Sequence, residues 1–161
     1  MKYWLMKSEP EAYSIDALKR DGKTFWNGVR NYQARNFLRD EVKTGDWVLF
    51  YHSNAEPSGV AGLARVTSPG YPDPSALDRK SPYFDPKATK ENPIWYVVDV
   101  EFAEKFPRLI ELEELKAQPD LQGMLVLKRG QRLSVQPVER AHFEAVRRMA
   151  KSHSKVHPSM N

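Results

Sequence analysis

Between Pro69 and Pro93 the chain carries six prolines, at positions 69, 72, 74, 82, 86 and 93. Proline fixes φ and removes the backbone donor, so no long helix or central strand survives at that density. Regular structure must come from the residues on either side. A loop this long inside a compact domain is usually a working part. Tyr71, Tyr83, Phe84 and Asp85 are interleaved with the prolines, so the segment is expected to pack onto the rest.

Before it, Tyr3–Met6 reads as a short strand. Ser14 reads as the N-cap of a helix through Ile15, Leu18 and Lys19, closed by Asp21-Gly22. A second helix is predicted from Asn31 to Arg39. After a turn at Thr44–Asp46 come two strands, Trp47–His52 and Val60–Val66. Gly62 marks a close approach of backbone or ligand. After the prolines, Ile94–Phe102 is the clearest strand and Pro107–Ile110 a short edge strand. A short acidic helix follows through Leu112 and Leu115, then a helical turn at Gly123–Lys128 and a last strand at Leu133–Gln136. Pro137 suits the first turn of a final helix, with Val138, Ala141, Ala145, Val146 and Met149 at helical spacing. For 161 residues one domain over residues 1–150 is expected, with a flexible tail over 151–161. Such strands are too short and irregular for a doubly wound sheet. They suit an α+β fold: a small, mixed, mostly antiparallel β-barrel or curved sheet with short peripheral helices.

Composition narrows the chemistry. The absence of cysteine excludes disulfides, thiol catalysis and cysteine-held metals. The apolar run at Tyr3–Met6 is broken by Lys7-Ser8-Glu9, too early for an export signal or membrane span. A cytoplasmic protein is therefore expected; a monomer is expected as well. No phosphate-cradling glycine loop, nucleophile elbow or H-E-x-x-H motif occurs. The four histidines are scattered, so neither a metal nor a cofactor is expected. His52 and Ser53 are adjacent, and neighbours on a strand point to opposite faces, a poor start for a nucleophile and its base. The pairs Glu9/Glu11 and Glu113/Glu114 read as solvated surface. Net charge is +4, and from Lys128 onward eight Lys/Arg meet two Glu. That basic end is either a phosphate-attracting patch or a solvated helix face.

The densest chemistry lies at Phe25–Asn36, where Trp26, Arg30, Tyr32 and Arg35 crowd around Gly28 with Asn27, Asn31 and Asn36. Flat rings with forked donors suit a planar ligand with a polar edge, such as a nucleobase. The alternative is that Trp26 is core and Asn31 only caps a helix. Polar groups also collect at other strand ends: Lys7-Ser8, Tyr51-His52-Ser53 and Arg132–Ser134. On one rim of a curved sheet these would form a concave pocket.

Several motifs in order, Trp4–Pro10, Trp26–Asn36, Phe50–Ser53, Gly59–Val66, Tyr71–Asp73 and Leu133–Val138, resemble the EVE domain over nearly the whole chain. The resemblance implies a PUA-like fold, shared with YTH and ASCH domains, and a non-enzymatic reader of a modified base, a modified cytosine in DNA or a modified RNA base. It implies a base pocket lined or bordered by Lys7, Ser8, Trp26, Gly28, Val29, Arg30, Asn31, Tyr51, His52, Ser53, Arg132 and Ser134, with Asp85 and Trp95 from the same region. Arg147, Arg148 and Lys151 would then contact phosphates. Two rivals stand beside this reading. One is an enzyme acting on a modified nucleotide, with His52 as acid/base and Ser53 or Asp85 assisting. The other is an accessory protein for RNA modification.

Overall fold

Strand β1, Tyr3–Ser8, alternates its side chains across the sheet, and both faces are apolar: Trp4 and Met6 point one way, Leu5 the other. A strand buried on both faces needs partners on both edges and cover on both sides. In the computed structural model, whose described residues are 1–152, β1 has all four. It pairs in parallel with β3, Trp47–His52, and antiparallel with β8, Val135–Val138. Strands β2 (Lys23–Phe25), β7 (Asp99–Glu111) and β4 (Gly59–Val66) complete one curled sheet in the order β2-β7-β4-β3-β1-β8. All pairings except β1–β3 are antiparallel. Among the described residues no ladder joins β2 to β8, so the sheet is a half-barrel. Tyr3–Met6, Trp47–His52 and Val60–Val66 thus lie in one sheet, as expected.

Each face has its own core. On one, Trp4, Met6, Phe50 and Val48 pack with Trp26, Val29, Leu38 and helix α1, Ile15–Asp21. On the other, Leu5, Leu49, Tyr51 and Leu63 pack with Leu115 of α3 (Leu112–Lys116) and with Phe143, Val146 and Met149 of α4 (Arg140–Ala150). Each fully buried Leu, Met or Phe contributes roughly 1.5–3 kcal/mol of transfer free energy. Gly62 sits where a Cβ would meet the Glu104 carbonyl of β7, so the close approach is by neighbouring backbone.

Ser14 caps α1 by accepting from the Ala17 N–H, as its sequence predicts. Helix α2, Tyr32–Asn36, is capped by Asn31 and continues into a π-helical turn, Phe37–Glu41, past the expected end at Arg39. Four expectations are corrected. Ile94–Phe102 is not one strand: β6, Tyr96–Val97, pairs with β5, Tyr71–Pro72, in a separate ribbon, and β7 begins at Asp99. Pro107–Ile110 belongs to β7. Gly62 faces Lys105 while Val60 faces Ile110, so β7 carries extra residues between, and Pro107 falls in that irregularity, where no donor is needed. Pro137 lies in β8, an edge strand that tolerates it, rather than in the first turn of α4. Glu114 is buried: its carboxylate accepts from both Arg108 guanidinium arms at 2.7 and 2.9 Å. The tail expected from Lys151 lies, past Ser152, outside the described residues. Among the described residues no helix is long and apolar enough to cross a membrane.

Candidate functional site

Because β1 and β3 run in parallel, their C-terminal ends finish at the same rim. The Ser53 N–H donates to the Ser8 carbonyl at 3.0 Å, and the Lys7 N–H donates to the Ser134 carbonyl at 2.9 Å. The entry to β8 is thereby tied to the exit of β1. The Trp26 N–H donates to the Val98 carbonyl at 2.8 Å, fixing the exit of β2 nearby. Where these ends converge lies a cleft of about 870 Å³. It is lined by Lys7, Ser8, Trp26, Gly28, Val29, Arg30, Ser53, Arg132 and Ser134 of the sequence-derived set.

Other lining residues stood outside the sequence-derived set: Glu9, Tyr13, Asn54 and Gln131, together with Phe25 and Asn27 of the densest segment and Tyr83 of the proline-rich one. The rings divide by exposure. Trp26 is 7% exposed and meets Phe50 edge-on at 5.3 Å, so its body belongs to the core. Phe25 and Tyr83 are 39% and 37% exposed, so part of each ring meets solvent. Polar edges are available too. The side chains of Asn27, Ser53, Arg132 and Ser134 have no hydrogen-bond partner among the described residues. Ser8 Oγ donates to the Tyr13 carbonyl at 2.6 Å and keeps its lone pairs. Lys7 Nζ donates to the Gln131 carbonyl at 3.2 Å, and burial holds its pKa below the ordinary lysine value.

The proline-rich segment builds one wall. Asp73, 1% exposed, accepts from the Gly28 N–H at 3.3 Å, from Arg30 Nη1 at 3.1 Å and from the Ser75 N–H at 2.8 Å. Arg30 also donates to the Tyr83 carbonyl at 2.6 Å and lies over the Tyr83 and Trp95 rings. The segment is thus clamped to the Trp26–Arg30 loop with Tyr83 over Gly28. A sequence signal for Asp73 existed in Asp73-Pro74-Ser75, a capping residue followed by proline at a helix start. Tyr83 carried only the hint that aromatics among prolines pack onto something.

Five sequence-derived residues lie elsewhere. Asn31 Oδ1 accepts from the Ala34 N–H at 2.9 Å and is a helix cap. Tyr51 points to the opposite face, its hydroxyl 3.4 Å from Ser58 Oγ. His52 Nε2 accepts from the Ile15 N–H at 3.1 Å at the start of α1, and burial lowers its pKa. It faces neither the cleft nor Ser53. Trp95 stacks on Tyr32 at 5.0 Å and donates to Asp85 at 2.7 Å. That bond is the main cause holding the Asp85 carboxyl below its usual range. Trp95 and Asp85 therefore support the wall from behind. Nor do the three basic residues of the last helix line the cleft. Arg147 stands over the Trp47 ring, at the start of β3 rather than its end. That is roughly 17 Å from the rim by strand rise. Arg148 borders Gln118, Asp120 and Leu121, and Lys151 closes α4 as its C-cap.

Part-exposed rings, uncommitted amide and hydroxyl edges and a half-buried ammonium suit recognition of a flat, polar-edged ligand. The profile of the EVE domain family matches residues 2–149. Human thymocyte nuclear protein 1 is 42% identical over 163 residues, covering 89% of this chain and 72% of the relative. A Pseudomonas putida protein structure superposes with a TM-score of 0.89 at 49% identity, covering 92% of this chain and 99% of that one. The human THYN1 protein, solved in complex with 5-methylcytosine-containing DNA, superposes with a TM-score of 0.88 at 39% identity, covering 96% of this chain and 100% of that one.

Proposed function

The chain belongs to the EVE domain family, and from that premise we propose that it is a non-enzymatic nucleic-acid-binding protein that holds a modified nucleobase in the strand-end cleft. A modified cytosine in DNA is the first candidate, because the human relative is solved with 5-methylcytosine-containing DNA; a modified RNA base is the second. The observation that carries the reading is the cleft itself, where the part-exposed rings of Phe25 and Tyr83 stand beside the unpartnered edges of Asn27, Ser53 and Ser134. Stacking on such a ring is worth about 1–3 kcal/mol per base. Hydrogen bonds along the base edge supply the discrimination that stacking lacks. Extruding a base from a duplex costs a few kcal/mol, so an unpaired or flipped base is the natural ligand. His52, the residue an enzymatic reading would use as acid/base beside Ser53, is committed to helix α1, which favours binding over turnover. In this reading the protein acts as a monomer, as one domain over residues 1–150, in the cytoplasm.

The test is fluorescence anisotropy with short single strands that carry cytosine, 5-methylcytosine or another modified base at one position. Tighter binding of one modified strand is expected; Tyr83→Ala should weaken binding of every strand by about 1–3 kcal/mol, and Asn27→Ala should reduce the preference. Equal affinity for every strand, unchanged by Tyr83→Ala, would remove the cleft as a base reader.

A further inference from the structure

A second groove, of about 540 Å³, adjoins the cleft, and Lys7 and Gln131 line both. Lys116, Lys128 and Arg129 join Lys7 along it, and no carboxylate lines it. Among the described residues Lys7, Lys128 and Arg129 form no ion pair, and Lys116 has only a 3.5 Å contact with exposed Glu113. Four cations lining one groove with a single weak, exposed counter-charge repel one another, and a polyanion relieves that repulsion. The Lys7 ammonium sits on the shared wall, pinned to the Gln131 carbonyl at 3.2 Å. A charge in that position faces the base site on one side and the basic groove on the other.

Resting on the base-reading function above, we propose that this groove is the path of the nucleic-acid strand, and that Lys7, Lys116, Lys128 and Arg129 hold the phosphates next to the base in the cleft. The basic end of the sequence thus acts through the turn before β8, and the last helix takes no part. Phosphate contacts carry no base information, whereas the cleft does. The two sites therefore separate in one experiment.

Affinity for modified and unmodified oligonucleotides is measured over a series of salt concentrations, for wild type and for the triple variant Lys116→Ala, Lys128→Ala, Arg129→Ala. All three side chains are exposed, so the variant is expected to fold, which thermal unfolding checks. It should lose about tenfold or more for both strands alike near 0.1 M salt and keep its preference ratio. The slope of log affinity against log salt should fall by about 2–3, since each phosphate contact adds about 0.7–0.9. A triple variant that binds like wild type at every salt overturns the proposal while leaving the base-reading function intact. A wild type without preference whose affinity still drops in the triple variant keeps the groove and removes the base reader. Failure of wild type to bind any strand removes both. Displacement of the strand by millimolar inorganic phosphate at constant ionic strength would mark the groove as a small-anion site and overturn the strand path.

Discussion

Gly28 has a φ of +78°, and a Cβ there would stand 2.7 Å from the Tyr83 ring carbons. Two costs meet at one residue: left-handed backbone strain of roughly 1–2 kcal/mol for any other L residue, and displacement of the ring. Gly28→Ala should therefore destabilise the fold and weaken ligand binding together. In the double variant with Tyr83→Ala the ring clash disappears, so the stability losses should fall short of their sum. Additive losses by denaturant unfolding would mean that Tyr83 does not rest on Gly28. At Glu114 the argument concerns charge. Its side chain is 3% exposed and receives both arms of Arg108, which also donates to the Met149 carbonyl at 3.3 Å. Glu114→Ala removes the carboxylate that receives both guanidinium arms and should destabilise the fold, which denaturant unfolding would measure. His52 sets a pH dependence of stability. Burial lowers its pKa from the ordinary 6.5, so the unfolded chain binds more protons in that range than the folded one. Stability is then complete above about pH 6.5 and falls as the pH drops toward the folded-state value. Protonation also removes the lone pair that accepts the Ile15 N–H. Thermal unfolding from pH 7.5 down to 5 should show this loss in wild type and less of it in His52→Gln.

Elements were legible where local pattern and burial agreed. The strands β1, β3 and β4 and the caps at Ser14 and Asn31 follow from β-branched and aromatic runs and from short polar side chains. Legibility failed where a long-range partner decides. Tyr96–Val97 and Asp99 onward read as one strand because nothing local says that Tyr71–Pro72 will claim the first pair. Pro107 looked like an edge because a bulge in a longer strand leaves no mark in composition. Lys23–Phe25 was too short to be read, yet it pairs with β7 and delivers Phe25 and Trp26 to the cleft. The site was partly legible for the same reason. Residues at strand exits could be placed on a rim, whereas Asp73 and Tyr83 arrive from a proline-rich segment whose path only tertiary contacts define. Helix α4 gives the element-scale prediction. It is distant from the cleft, and Arg147 is engaged with Trp47. Replacing Arg147, Arg148 and Lys151 by alanine should leave both the preference for a modified strand and the salt slope near wild type. A fall in salt slope by two or more would return the phosphate contacts to this helix.

Across the whole molecule the sheet is a partition between two cores, and the candidate cleft opens where the partition's strands end. Strand β1, among the first residues of the chain, is flanked by β3 and by β8, which begins at Val135. A ribosome makes the first of these more than a hundred residues before the last. During synthesis the growing chain therefore carries an apolar strand with one edge bare until β8 emerges. Bare edges of that kind recruit other chains, and pairings this distant in sequence close slowly. The same delay governs the cleft, because Ser134 closes its rim only when β8 docks on Lys7. Chains halted before Val135 should bind no base and should aggregate when released, and full-length chains should acquire base binding and protease resistance in one step. Pulse-labelled translation followed by limited proteolysis would show whether the rim and the second core close together.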